Sequence, residues 1–309
     1  MEPFTNIRAL IIDMDGVLWH GEQPMPGLTD FFHTLRELQI PFILATNNAR
    51  LTQEQYVIKL AQMGVEVSRD EILTSSMATA LYLSEHTNPD ENRVYVIGEE
   101  GAKQPLTECG FTLTELYELN DDKDNPNMGA DIVVCGMDRN LSWDKLATAT
   151  LNIRAGAKFI GTNADTTLPT ERGLTHGNGA ILAALTAATG VTPTIIGKPE
   201  PIIYQQALAL LGVDPAQTVA IGDRLETDIL GAVRTGIRSL MVLSGVSTEE
   251  DFESTNYRPT WVMPDIRAVT QALKTDSYVL ESIDEAHRSR YHQKNLNPPE
   301  PRCNEKIHQ

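Results

Sequence analysis

The chain has 309 residues, 41% of them hydrophobic and 6% aromatic, the makeup of an ordinary globular protein long enough for two domains. Its 25 Lys and Arg against 42 Asp and Glu give a net charge of −17, which argues against general attraction to nucleic acid or to anionic membrane. Three widely spaced cysteines, Cys109, Cys135 and Cys303, suggest neither a disulfide framework nor a Cys-x-x-Cys metal site, and no apolar run approaches the roughly 18 residues of a membrane span. With no basic N-terminal region leading into such a run, a cytosolic protein with free thiols is expected.

The first apolar run, Ala9-Leu10-Ile11-Ile12, reads as a buried strand that ends in Asp13-Met14-Asp15 and a glycine, Gly16. Phe32, Leu35 and Leu38 recur at helical spacing over 29–38, and Pro41-Phe42-Ile43-Leu44-Ala45 is a second strand that stops at Thr46-Asn47-Asn48. Thr52 and Gln55 have the spacing of a capping box, before a helix closed by Gly64, and another helix is predicted over 77–83. From His86 to Asn92 the chain turns polar, which marks a domain boundary.

The middle segment has its own rhythm. A strand at 94–97 is followed by a short helix before Gly110, a polar loop at 120–127, a strand at 131–136 and a helix opened by Ser142 and closed by Gly156. A strand at 158–161 then runs into Thr162-Asn163-Ala164-Asp165, a Gly- and Thr-rich connection and a small-residue helix over 180–189. The pattern of the first segment resumes at Thr194-Ile195-Ile196-Gly197-Lys198-Pro199 and at Thr218-Val219-Ala220-Ile221-Gly222-Asp223, with Thr227 as the expected N-cap of a helix ending near Gly236 and a further strand at 238–243.

Strands alternating with helices predict an α/β fold, a doubly wound parallel sheet with an inserted second domain. The expected division is residues 1–86 and 191–275 for a discontinuous core, 87–190 for the insertion, and 276–309 for a polar C-terminal extension.

Ligands bind outside the carboxyl ends of the strands in such a sheet. Four of those ends carry Asp13 and Asp15, Thr46 and Asn47, Lys198, and Asp223. Two carboxylates about 4 Å apart repel by roughly 4 kcal/mol at an effective dielectric of 20, so gathering Asp13, Asp15 and Asp223 calls for a cation. Oxygen ligands select a hard one, Mg²⁺ first among them. The chemistry this set suits is metal-assisted phosphoryl transfer.

These four segments resemble the motifs of the haloacid dehalogenase superfamily, and within it the NagD-like phosphatases with a large inserted cap. Asp13-Met14-Asp15-Gly16-Val17-Leu18-Trp19 is similar to the first motif, Thr46-Asn47-Asn48 to the second, Gly197-Lys198-Pro199 to the third, and Gly222-Asp223-Arg224-Leu225-Glu226-Thr227-Asp228 to the fourth. The resemblance spans about residues 7 to 270, with the cap between the second and third motifs. It implies a Rossmann-like core and a Mg²⁺-dependent phosphomonoesterase acting on small phosphorylated metabolites such as nucleotide monophosphates or sugar phosphates, with p-nitrophenyl phosphate as an artificial substrate.

Residue by residue, the resemblance implies Asp13 as the nucleophile that becomes an aspartyl-phosphate and Asp15 as general acid and base. Thr46, Asn47, Asn48 and Lys198 are then the phosphate site. Asp13, Asp15 through its carbonyl, and Asp223 are the metal ligands, with Asp228 behind them. Asn163 and Asp165 in the cap are the candidates for substrate selection, and a homodimer through the cap is a further implication. Leu168-Pro169 stands where relatives that prefer pyridoxal phosphate carry a histidine. A phosphotransferase of the same superfamily is the alternative enzyme, whereas Asp15 disfavours a dehalogenase, whose leaving group needs no proton. A receiver-like phospho-accepting module also places acids, a Thr and a Lys around a phosphorylated Asp, but has no use for a cap of this size.

Overall fold

The computed structural model describes residues 4–119, 128–170 and 172–276. The polar loop expected at 120–127, Cys303 and the C-terminal extension past residue 276 lie outside the described residues. In chain order the first segment holds β1 (Ala9–Ile12), the small hairpin β2 (Trp19–His20) and β3 (Gln23–Pro24), α1 (Leu28–Glu37), β4 (Phe42–Thr46), α2 (Gln53–Gln62), β5 (Ile72–Thr74) and α3 (Ser75–His86). The middle segment runs β6 (Arg93–Ile97), α4 (Glu100–Glu108), β7 (Thr112–Leu113), β8 (Ile132–Cys135), α5 (Trp143–Arg154), β9 (Lys158–Gly161), the antiparallel hairpin β10 (Thr167–Thr170) and β11 (Gly173–His176), α6 (Asn178–Thr189) and β12 (Thr194–Ile195). The last segment comprises α7 (Pro201–Leu211), β13 (Thr218–Gly222), α8 (Leu230–Thr235), β14 (Arg238–Val242), β15 (Trp261–Met263) and α9 (Ile266–Asp276).

Six strands form one parallel sheet in the order β15-β14-β13-β1-β4-β5. The alternation of side chains along a strand sorts β1 and β4 between two helical layers. Leu10, Ile12, Phe42 and Leu44 pack with Phe31, Phe32 and Leu35 of α1, Leu60 of α2 and Val269 and Leu273 of α9. Ala9, Ile11, Ile43 and Ala45 face the other way, onto α3, α7 and α8. Both faces are covered, which is why these strands read as unbroken apolar runs.

Five strands form a second parallel sheet, β12-β9-β8-β6-β7. One face closes on α5 and α6 through Ile153, Ile181, Leu182 and Leu185. The other face belongs to the same apolar cluster as α3 and α7, with Val96, Val134 and Leu106 alongside Leu83 and Ile203. A continuous apolar layer therefore joins the two sheets, and α3 and α4 pack directly on each other.

The structure departs from the sequence reading in three places. Thr194–Ile195 pairs in parallel with Ile160 and Gly161, so it is the edge strand of the second sheet and the return to the first comes after it. An apolar doublet says nothing about which of two parallel sheets it will join. Thr227 does not cap a helix: the segment Leu225–Ile229 is a π-helical turn leading into α8, and Asp228 Oδ2 accepts the Arg224 N–H at 3.1 Å. Asp228 can fold back this far because Gly222 has no side chain; a Cβ there would lie 2.1 Å from that of Asp228. Cys135 is a free, buried thiol as expected, held above the usual thiol range by burial and then by Asp138, but Cys109 is disulfide-bonded.

Candidate active site

The register of the first sheet brings its strand ends together. Ile12 lies opposite Leu44 on one side and Ile221 on the other, so Asp13, the Thr46-Asn47 pair and Asp223 share one edge. Asp13 donates its N–H to the Ile221 carbonyl at 2.8 Å. Lys198 arrives on the connection between β12 and α7 and reaches across: its Nζ lies 2.5 Å from Asp13 Oδ1, 2.6 Å from Asp228 Oδ1 and 3.0 Å from the Ala45 carbonyl.

This is a buried charge cluster with too little positive charge. Ligand oxygens of Asp13, Asp223 and Asp228 all lie within 4.8 Å of one another, and Lys198 is the cation bonded among them. Burial opposes the Lys198 charge, but Asp13 and Asp228 outweigh it and hold the ammonium well above the ordinary lysine range. Burial drives the Asp13 carboxyl well above its usual value; Lys198 draws it down, and the Asp228 and Asp223 charges push it up. Burial, followed by the charge of Asp228, pushes Asp223 up to about 6.

Asp223 also has a buried oxygen, Oδ1, with no hydrogen-bond partner among the described residues. Such an atom is costly to bury unless something else satisfies it. The donor set, carboxylates with carbonyls nearby, fits a hard divalent cation, and the acidic residues are grouped closely enough to hold one. Asp228 offers a carboxylate oxygen to this group as Asp13 and Asp223 do.

Asp15 is placed differently. Gly16 turns the chain with φ +85°, and Asp15 is left solvent-exposed beside the small hairpin. Its Oδ1 accepts the indole N–H of Trp19 at 2.8 Å. Trp19 is itself fully buried, with Lys59 Nζ 4.7 Å over its ring, so the indole is a rigid donor. Two carboxylates two positions apart thus have different surroundings: one largely enclosed against an ammonium, one in reach of water.

The remaining candidates divide by what their side chains already do. Asn47 is fully engaged: its Oδ1 accepts the Lys198 N–H at 2.8 Å, and its Nδ2 donates to the Lys198 carbonyl at 2.8 Å and to Asp165 Oδ1 at 3.2 Å. Thr46 Oγ1 accepts the Asn48 N–H at 3.0 Å, which leaves the hydroxyl proton for another acceptor. Asn48 Oδ1 accepts the Arg50 N–H at 3.2 Å and shapes this loop. Asn163 is buried and donates to the Asn47 carbonyl at 2.7 Å, while Asn178 donates to the Asn163 carbonyl at 2.8 Å. Asn163 and Asp165 therefore meet the core at Asn47, beside the charge cluster.

Other residues at the site were given no role by the sequence reading. Trp19 stands in the first motif, yet only the turn at Gly16 brings its indole N–H to Asp15. Glu99 Oε1 accepts from Arg50 Nε and Arg139 Nε, both at 3.2 Å, and so bridges the core loop and the inserted segment. The segment Ser244 to Ser247 abuts Asp223; its signal was a fifth apolar run, 238–243, ending in small polar residues. A surface cavity of about 780 Å³ lined by Phe32, His33, Arg36 and Val65 contains none of the site residues.

Comparisons with known proteins place the chain in a family. Residues 10–112 match the profile of the haloacid dehalogenase-like hydrolases and residues 195–269 a second, HAD-hydrolase-like profile. An acid sugar phosphatase of Staphylococcus aureus is 39% identical over 267 residues, which are 86% of this chain and 98% of that protein. NagD of E. coli superimposes with a TM-score of 0.74 at 34% identity, covering 85% of this chain and 98% of that one. A mutant of the thermostable p-nitrophenylphosphatase from Bacillus stearothermophilus has a TM-score of 0.72 at 38% identity, covering 85% and 97%. With the strand-end acids, the shared lysine and the inserted second sheet in place, the chain belongs to the haloacid dehalogenase-like hydrolases, in their NagD-like group of phosphatases.

Proposed function

We propose that this protein is a Mg²⁺-dependent phosphomonoester hydrolase that works through an aspartyl-phosphate on Asp13 and acts on small phosphorylated metabolites, sugar phosphates before nucleotide monophosphates. One observation carries the reading: a buried lysine is shared between Asp13 and Asp228 beside a buried, unsatisfied oxygen of Asp223. The name of the Staphylococcus aureus relative, acid sugar phosphatase, supports the order of substrates.

Asp13, Asp223, Asp228 and the Asp15 carbonyl would hold the cation, which supplies charge neutralisation at the phosphate and lets an anionic nucleophile approach an anionic substrate. The protein's own groups do the rest. A carboxylate oxygen of Asp13 attacks phosphorus as the bond to the leaving oxygen breaks, and Asp15 delivers a proton to that oxygen. Asp15 then removes a proton from a water that attacks the phosphorus of phospho-Asp13, which frees inorganic phosphate and restores Asp13. Lys198, the Thr46 hydroxyl and the Asn47 N–H stabilise the phosphoryl oxygens. Asn48 shapes the loop that presents them. Trp19 holds Asp15 in place by its 2.8 Å bond.

The test is Asp13→Asn assayed with p-nitrophenyl phosphate. Loss of turnover by roughly 10⁴-fold or more is expected when the group that forms the covalent intermediate is removed, and wild-type turnover in the variant would overturn the mechanism. A phosphate-release panel of sugar phosphates and nucleotide monophosphates, run with and without Mg²⁺, orders the substrates.

A further inference from the structure

Ser244 to Ser247 lie just past β14, outside the four motif segments, and each of them is tied to Asp223 or to the turns around it. Val246 donates its N–H to Asp223 Oδ2 at 2.7 Å, and Ser247 donates its N–H to the Asp223 carbonyl at 3.0 Å. Ser247 Oγ accepts the Leu225 N–H at 3.1 Å, fixing the start of the π-helical turn that carries Asp228. Ser244 Oγ donates to the Gly16 carbonyl at 2.9 Å, on the turn between Asp15 and Trp19. The Ser244 carbonyl meets His20 Nε2 at 2.7 Å, at the small hairpin.

Gly245 supplies the clearance. A Cβ on it would lie 1.9 Å from Asp223 Oδ2, and a Cβ on Gly16 would lie 2.4 Å from the same oxygen. Oδ2 is therefore enclosed by two bare Cα atoms and fixed by one amide. A carboxylate gripped by one oxygen cannot rotate, so the position of the other is set as well, and that other oxygen is the buried, unpartnered Oδ1. The Val246 side chain is exposed, so the backbone alone serves here.

We infer that the segment Ser244–Ser247 is a positioning strap: it orients Asp223 Oδ1 toward a divalent cation and ties that carboxylate to the turn bearing Asp13 and Asp15. None of its residues touches substrate. The inference rests on the phosphatase reading for the purpose of the cation, but it concerns affinity for the cation and is measured without turnover. Groups that orient a metal ligand change metal affinity on the order of 10–100-fold when altered.

The experiment is calorimetric titration of MgCl₂ into metal-free full-length protein, as wild type, Gly245→Ala, Ser244→Ala and Asp223→Asn, with the thermal unfolding of each metal-free variant recorded alongside. Gly245→Ala should weaken Mg²⁺ binding on the order of 10–100-fold. Ser244→Ala should weaken it less, Ser244→Thr should restore it, and the KM for p-nitrophenyl phosphate at saturating Mg²⁺ should stay at the wild-type value. If Gly245→Ala does not fold, the Ser244 pair decides. Wild-type Mg²⁺ affinity in the folded strap variants, with binding lost in Asp223→Asn, would overturn the strap and leave the phosphatase reading intact. No Mg²⁺ binding by the wild type would overturn both.

Discussion

Asp165, which follows β9 of the second sheet, is bonded to Asn47, which follows β4 of the first. Its carboxylate accepts from Asn47 Nδ2 at 3.2 and 3.3 Å, and burial raises its pKa above the ordinary aspartate value, with the Asn47 bond, Arg224 and Lys198 drawing it down only in part. A carboxyl whose pKa is raised on folding is penalised in its ionised form. The penalty is present above the folded-state pKa and disappears as pH falls through it. Asp165→Asn keeps an acceptor for Asn47 and removes the charge, so this variant should melt above the wild type at neutral pH. The difference should shrink as the pH is lowered into the range where the wild-type carboxyl is protonated. Melting curves across pH check this, and a gap that grows on acidification would contradict it. The sequence marked Asn163 and Asp165 by their place after an apolar strand, but not their partner. Asn47 and Asp165 are 118 residues apart in the chain, and nothing local encodes that meeting.

Among the elements, the best-read ones carry their own local chemistry. At the start of α2, Thr52 Oγ1 accepts the Gln55 N–H at 3.2 Å and Gln55 Oε1 accepts the Thr52 N–H at 2.9 Å, the reciprocal pair its spacing predicted. Thr52→Ala should cost about 1 kcal/mol of unfolding free energy in urea titrations, and an unchanged midpoint would show that the cap is idle. Ser142 caps α5 in the same local way, accepting the Lys145 N–H at 3.2 Å. Elements whose identity depends on a neighbour were less legible. Thr227 has the residue type of a cap, but Asp228 took the Arg224 N–H because Gly222 left room for its side chain. Thr194–Ile195 pairs with Ile160 and Gly161 of β9, a partner more than thirty residues back in the chain.

For the whole molecule, the excess of negative charge at the site would couple folding to a bound cation. No helix among the described residues is long and apolar enough to cross a membrane. If Mg²⁺ binds only the native state, raising it to about 100 times its Kd should stabilise the protein by about 2.7 kcal/mol. The expected readout is a Tm that rises with Mg²⁺ and returns with EDTA, and that does not respond in Asp223→Asn. An unresponsive wild-type Tm would count against a cation in the carboxylate cluster.

The sequence by itself determined the α/β architecture, the carboxyl-edge acids and the lysine, because strand patterning and strand-end chemistry are written in consecutive residues. Tertiary structure alone decided which apolar doublet joined which sheet, that Lys198 sits between Asp13 and Asp228, that Trp19 holds Asp15, and that Ser244 to Ser247 close around Asp223. These are meetings between segments far apart in the chain, and their partners are set by parallel register and by the clearance at Gly16, Gly222 and Gly245, which no run of neighbouring residues specifies.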